Sequence, residues 1–312
     1  MAQLEVLKHY VKDIWPIIHE AQLPVYLDST SAKYVPFHSF ARLLQVAFES
    51  LPPETFIKFV QAGAEGYSQQ IRLMCATNNT SWSLDLLGDY LPIRSAEFKS
   101  SVQGGYPTEF SAEITLDNTE PYTFVCEVYA LVVVHQYLFQ EHSDIAAPFK
   151  YHLASQEKTG LDKLKISTEA PQFMGQDSSG LFYRLSNDQR FTESDVCWIE
   201  TTQTFTQQVS CALESYIGRQ DINLDTFSDI VMIPPRTIQR YLGREGSSFS
   251  RVKESLNMAF AKRVMIEREA SISDIAEHLG YADTSQFIRA FKKSEKTTPL
   301  QWRKKASETH RK

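Results

Sequence analysis

The sequence predicts an α+β N-terminal region over residues 1–200 followed by an all-α domain over residues 201–312, with two helix-turn-helix motifs joined by a linker helix. Three observations predict it. The formal net charge of −6 divides unevenly, with −11 in residues 1–200 and +5 in residues 201–312. Strand-like alternation occurs in the first part, at Phe110, Ala112, Ile114 and Leu116 against Ser111, Glu113 and Thr115. The second part twice places apolar residues at helical spacing on either side of a tight turn.

Taken in order, Leu4, Leu7, Val11 and Ile14 predict a first helix that Pro16 ends or kinks. Phe37, Phe40, Leu44, Ala47 and Leu51 predict a second, closed by Pro52 and Pro53, and Phe56 to Met74 predict a third. The polar run at Thr77 to Ser81 reads as a loop, Leu84 to Tyr90 as a short helical piece, and Gln103 to Pro107 as a turn before the alternating strand. Between Pro121 and Gln140 the β-branched content pulls towards strand. The length of the apolar run, with Val125, Tyr129, Val132 and Gln136 at helical spacing, favours a buried helix. After Pro148, Phe149 to Ala154 and Leu181 to Leu185 read as strands separated by polar loop sequence around 176–180.

The polar stretch Glu200 to Thr204 reads as the seam, and Phe205, Val209, Ala212 and Tyr216 form the stripe of a helix leading out of it. A first motif spans about residues 222–244. Leu224, Phe227 and Val231 face inward on one short helix, and Ile238, Tyr241 and Leu242 on the next, which leaves Arg236, Thr237, Gln239, Arg240 and Arg244 outward. Phe249 to Glu267 reads as one continuous helix with Val252, Leu256, Ala259, Phe260 and Val264 on a face. At ~1.5 Å per residue it is about 28 Å long, near the ~34 Å of one DNA turn.

A second motif spans about residues 272–293. Ile272, Ile275, Ala276 and Leu279 are the buried stripe of a short helix, Ala276 permits a close crossing, and Gly280 is placed to be a left-handed cap. Asp283 or Thr284 caps the next helix, where Phe287, Ala290 and Phe291 face in while Ser285, Gln286, Arg289, Lys292 and Lys293 face out. Side chains of these types at the start and middle of such a helix can pair with base edges. Lysines towards its end, with Lys296 beyond, suit phosphate. The basic domain is therefore expected to bind double-stranded DNA and the acidic region to have another task.

The run from Ser273 to Lys293, with Thr297 to Arg303 after it, resembles the second helix-turn-helix of the AraC/XylS family of bacterial transcription regulators. The elements Ile275-Ala276, Leu279-Gly280-Tyr281, Ser285-x-Phe287-x-Arg289-Ala290-Phe291-Lys292 and Thr298-Pro299 come in the family's order. The stretch Asn223 to Phe249 is similar to the family's first motif. It departs at Ser228 in place of a small Ala, at Met232 in place of the turn Gly and at Pro234 in place of a capping Ser. In the second motif, Ser294 stands where an aromatic is usual and Lys296 where Gly is usual.

The resemblance implies a sequence-specific bacterial regulator, an activator, associated with the nucleoid when on DNA; the cytoplasm is expected from the lack of a membrane span and of a secretory signal pattern. It also implies contacts to DNA from Arg236, Thr237, Gln239, Arg240, Arg244, Thr284, Ser285, Gln286, Arg289, Lys292, Lys293 and Lys296. The wording of the first motif is most similar to members whose N-terminal domain is of the OruR type, an effector-binding, regulatory and dimerising domain. The partners implied are promoter DNA, RNA polymerase for an activator, a small-molecule effector that the sequence does not name, and a second copy of the chain. An N-terminal protein-interaction module without a small ligand is the alternative, and an alkyltransferase that doubles as regulator is a more distant one.

Other chemistries lack their residues. Cys75, Cys126, Cys197 and Cys211 form no C-x-x-C pair and none has a Pro-Cys-His setting, which argues against a metal site or an activated thiol. The eight histidines form no H-E-x-x-H or i, i+4 pair, and no nucleotide-binding glycine pattern occurs, so neither metal nor cofactor is expected and the chain is not read as an enzyme. No apolar run reaches the ~20 residues of a membrane span, and the N-terminus lacks the charge and apolar pattern of a secretory signal.

Overall fold

The computed structural model describes residues 7–9, 11–23, 35–78, 93–103, 106–116, 119, 121–141, 147–156, 170–184, 197–198, 204–219, 221–267 and 270–309. The chain forms two compact units, one of Met1–Gln22 with Phe37–Thr202 and the other of Leu23–Pro36 with Gln203–Lys312.

In the first unit a helical turn at residues 7–9 precedes α1 (Trp15–Glu20), α2 (Phe37–Ser50) and α3 (Pro53–Asn78). Pro16 lies in the first turn of α1, so it opens a helix where the sequence reading had it end one; a first-turn N–H has no helical partner to lose. Pro53 likewise starts α3, and that helix runs to Asn78, two residues into the expected loop. Leu4 and the expected helical piece at Leu84 to Tyr90 lie outside the described residues.

A mixed sheet follows, built from β1 (Ile93–Gln103), β2 (Tyr106–Leu116), β3 (Lys150–His152), β4 (Gln172–Phe173), β5 (Ser179–Arg184) and β6 (Cys197–Trp198), in spatial order β4-β3-β5-β2-β1-β6. The β1 strand was not foreseen. It forms an antiparallel hairpin with β2 in which Ala96 pairs with Ile114 and Phe98 with Ala112. All other pairings are antiparallel except β3 with β4. Phe110 pairs with Tyr183, and Ala112 with Leu181, which also pairs with Tyr151; all five are buried, so one face of the sheet is a core face.

The helix α4 (Thr123–Glu141) is the centre of this unit. Every residue from Phe124 to Val134 is buried, which is why its sequence shows an apolar run rather than a stripe. Tyr129 meets Phe40 of α2 edge-on at 4.8 Å, and Phe124 meets Phe48 of α2 at 5.7 Å. On the sheet side, His135 Nδ1 lies 3.0 Å from the Tyr183 hydroxyl. The Glu127 carboxylate accepts from the Ser179 hydroxyl at 2.9 Å and from the Ser155 N–H at 3.1 Å. Burial raises the Glu127 pKa, against the lowering effect of these hydrogen bonds.

The regular elements among the second unit's described residues are helices: α5 (Phe205–Glu214), α6 (Leu224–Val231), α7 (Pro235–Arg244), α8 (Phe249–Glu267), α9 (Ile272–His278), α10 (Thr284–Glu295) and α11 (Pro299–Thr309). It has two cores. Val209, Leu213, Tyr216, Phe227, Ile230, Ile238, Leu242, Phe249 and Val252 pack α5, α6 and α7 on the start of α8. Ile217, Met258, Ala261, Met265, Ile275, Ala276, Phe287 and Phe291 pack α9 and α10 on the rest of it.

On α6 and α8 the inward assignments change. Ile230, rather than Val231, is the fully buried residue near the end of α6. On α8 the buried residues are Phe249, Val252, Asn257, Met258, Ala261 and Met265, while Ala259 is exposed and Leu256, Phe260 and Val264 are half-buried. A single-stripe reading cannot describe a helix that is packed from two directions at different points along its length.

Candidate nucleic-acid interface

Each helix pair is held by local chemistry that its sequence specifies. The Asn223 side chain accepts from the N–H groups of Asp225 and Thr226 at 2.9 Å and so caps α6. Met232 ends α6 at φ +57°, the left-handed state that a side chain resists and that Gly adopts freely. The buried Ser228 hydroxyl donates to the Ile233 carbonyl at 2.7 Å across that turn. Pro234 stands at the N-cap of α7 without a side-chain hydrogen bond. In the second pair Ser271 and Asp274 form a reciprocal capping box on α9, Gly280 takes φ +77° in the turn, and Asp283 caps α10 by accepting from the Gln286 N–H at 2.7 Å. Lys296 closes α10 at φ +61°, again left-handed at a position where Gly is usual.

These caps fix which side chains α7 and α10 present. On α7, Ile238 and Leu242 are fully buried while Arg236, Gln239, Arg240 and Arg244 are exposed and Thr237 is half-buried. On α10, Phe287 and Phe291 are fully buried, each worth ~1.5–3 kcal/mol of burial. Ser285, Gln286, Arg289, Lys292 and Lys293 are exposed, as is Lys296 beyond the helix. Thr284 is half-buried, and its hydroxyl donates to that of Ser273 on α9 at 3.3 Å. The Lys296 ammonium donates to the Lys293 carbonyl at 2.9 Å, so this lysine also closes the helix end.

Gln239 of α7 and Ala290 of α10 both border one cleft of about 720 Å³, lined between them by Ser250, Lys253, Glu254 and Asn257 of α8. Parts of both helix pairs thus line the same concavity. The cleft itself is not strongly basic. Lys253 donates to the Ile222 carbonyl at 2.5 Å, and burial lowers its pKa while Asp221 opposes that shift. Tyr281, also in the lining, has its pKa raised by burial, with a hydrogen bond from the Asn257 side opposing.

On α7 the structure moves Tyr241. It was assigned to the core beside Ile238 and Leu242, but it is 38% exposed. Its ring lies under the guanidinium groups of Arg240 and Arg244, with centroid distances of 5.2 and 5.4 Å, and packs against Phe205 of α5 at 5.2 Å. The signal in the sequence is Arg244 three residues after an aromatic, a spacing that brings side chains together on a helix; Arg240, directly before it, carries no such signal.

Nucleophilic and metal chemistry find no setting among the described residues. Burial, followed by the Glu127 charge, pushes the Cys126 thiol up to about 12, and burial also raises Cys211, so neither is a ready thiolate. The side chains of Cys75 and Cys197 lie outside the described residues. No group of three potential metal ligands occurs among those described, and no described helix is long and apolar enough to cross a membrane.

Comparison with known proteins agrees with this geometry. A family model described as a helix-turn-helix domain matches residues 227–305. The transcriptional activator CfaD of Escherichia coli is 27% identical over 146 residues, covering 46% of this chain and 54% of its own. The transcriptional activator RhrA of Rhizobium meliloti is 30% identical over 110 residues, covering 35% of each chain. Among solved structures, the transcriptional regulator CdpR of Pseudomonas aeruginosa aligns over 93% of this chain and 97% of its own, at 15% identity and a TM-score of 0.33, too distant to support any inference. The chain spans about half the length of CfaD. These relatives are transcription regulators rather than enzymes. With the matched segment running from Phe227 in α6 to Lys305 in α11, the chain carries at its C-terminus a helix-turn-helix domain of the AraC/XylS type.

Proposed function

We propose that the protein is a sequence-specific DNA-binding transcription regulator, acting as an activator, in which α6–α7 and α9–α10 are two helix-turn-helix motifs. In this reading α7 and α10 enter successive major grooves on one side of the duplex, with α8 as the strut between them. The observation that carries it is the division of α10, where fully buried Phe287 and Phe291 fix the helix and Ser285, Gln286, Arg289, Lys292 and Lys293 stand exposed on its other side. The charge of +5 in residues 201–312 supports the same reading, as does the activator function named for CfaD and RhrA.

The finer reading assigns residues 1–200 as the regulatory domain that responds to a small-molecule effector and contributes to a homodimer, with RNA polymerase as the partner of the activator. Support comes from the charge of −11, which does not suit a polyanion, and from the family resemblance. The base-reading side chains are Arg236, Thr237, Gln239, Arg240 and Arg244 in the first motif and Thr284, Ser285, Gln286 and Arg289 in the second, with Lys292, Lys293 and Lys296 on phosphate.

Selection of bound duplexes from a random-sequence pool by the full-length protein tests the function. Enrichment of one bipartite site with half-sites about one helical turn apart is expected. Recovery of unenriched pool sequence would reduce the protein to a non-specific binder, and no recovery at all would end the DNA-binding reading. Native mass spectrometry of protein purified from its host tests the effector, through a retained ligand on the full chain.

A further inference from the structure

We infer that Tyr241, backed by Phe205, is a positioning residue for sequence reading by α7, holding the Arg240 and Arg244 guanidinium groups ready for base edges. The inference rests on the DNA-reading role proposed above and assigns it a residue that the contact set omits.

Arginine side chains on an exposed helix ordinarily sample many rotamers, and fixing one on binding costs affinity. Here both neighbouring guanidinium groups lie within 5.4 Å of one aromatic centroid, inside the ~6 Å range of cation–π attraction. Among the described residues neither forms an ion pair, so no carboxylate competes for them. Cation–π attraction to a ring uses none of the guanidinium's N–H donors in a hydrogen bond, which leaves them to meet guanine O6 and N7. The contact therefore orders the group without consuming the donors that read sequence.

The ring is itself held by a neighbour. Phe205 packs on it at 5.2 Å with the planes inclined by 41°. Phe205 is fixed by its own backbone, because the Glu245 carboxylate accepts from the N–H groups of Phe205 and Thr206 at 3.0 and 2.8 Å. Glu245 is the C-cap residue of α7, so the end of α7 caps the start of α5.

The test uses the full-length protein on its selected site and on single-base variants across both half-sites, at two salt concentrations, with thermal melting recorded for each protein. Tyr241→Phe should retain base preference within about twofold. Tyr241→Leu should lower preference at the α7 half-site by roughly fivefold, with the α10 half-site, the salt slope and the melting temperature unchanged. Phe205→Leu should give a smaller loss at the same base pairs, and serves alone if Tyr241→Leu fails to fold. Arg240→Ala and Arg244→Ala separate the two levels of the argument. If they abolish preference at the α7 half-site while Tyr241→Leu and Phe205→Leu leave it intact, the positioning role is wrong and the DNA-reading role stands. If they change nothing, the reading role of α7 is wrong and the inference falls with it. A loss in Tyr241→Leu that is uniform across all sequences would also overturn it.

Discussion

The hydroxyl of Ser228 donates to the carbonyl of Ile233 at 2.7 Å, and between them Met232 sits in the left-handed region at φ +57°. A departure from the family's usual residue at 228 thus secures a turn that a second departure, at 232, strains. Ser228→Ala removes the donor and leaves the carbonyl without that partner. The expected cost is about 1 kcal/mol, read as a lower denaturation midpoint and faster amide exchange in α6 and α7 of the full-length protein.

Met232→Gly should act in the opposite direction. Relief of a left-handed side chain is worth ~1 kcal/mol, offset in part by the greater freedom of glycine in the unfolded chain, so a net gain of roughly 0.5 kcal/mol is expected. Slower exchange in α6 is the measurement. Lys296→Gly relieves the same kind of strain at the end of α10 but loses the ammonium's hydrogen bond to the Lys293 carbonyl, so no net gain is expected, and DNA binding at low salt should weaken because a charge is removed.

Acid should loosen the joint between α7 and α5. Thr206, and then the Phe205 N–H, hold the Glu245 carboxyl below its ordinary value, their backbone N–H groups donating to it. A carboxylate depressed in the folded state contributes stability above its unfolded pKa of ~4.3, and that contribution is lost as pH falls through the lower folded value. Exchange of the Phe205 and Thr206 amides, corrected for intrinsic rates, should therefore accelerate below about pH 4. Glu245→Gln should show the acceleration at every pH.

Glu127 has the reverse sign. Burial raises its pKa above the unfolded value, so the folded state takes up a proton and the first unit loses stability as pH rises through the folded pKa. Glu127→Gln should remove that slope. Glu127→Ala leaves the Ser155 N–H and the Ser179 hydroxyl without their acceptor, at about 1–3 kcal/mol each before any relaxation. Unfolding of the full chain followed against pH distinguishes the two.

On α10 two substitutions separate reading from holding. Arg289→Ala should flatten preference at one base pair, worth ~1–3 kcal/mol of discrimination. Lys293→Ala should weaken all duplexes alike and reduce the salt slope by about one unit. If the two effects are exchanged, α10 is rotated from the orientation proposed. If neither exceeds ~0.5 kcal/mol, both are solvated charges.

Residues with a local physical signature could be read from the sequence, and those whose environment is set by distant parts could not. Gly280, Asp283, Phe287 and Phe291 announce a turn, a cap and a stripe within 12 residues, and each takes that role in the structure. The strand Phe110 to Leu116 shows its alternation, but β1 does not, because Ser100 interrupts the apolar series Ala96, Phe98, Val102. Tyr241 escaped because helical spacing puts it on the edge of the buried stripe. What draws it outward is a pair of arginines together with Phe205, 36 residues earlier in the chain. Asn257 was missed for a related reason: its surroundings on α8 include Tyr281, far along the chain.

Leu256 touches both cores of the second unit. A side chain shared in this way denies either helix pair an independent existence, since loosening one removes a wall of the other. The pairs are held like two teeth on one comb, and a comb measures spacing as well as shape. Moving the two half-sites apart by a single base pair would turn one of them by about 34° about the duplex axis. With the strut unable to follow, that insertion should cost more than any single mismatch inside either half-site.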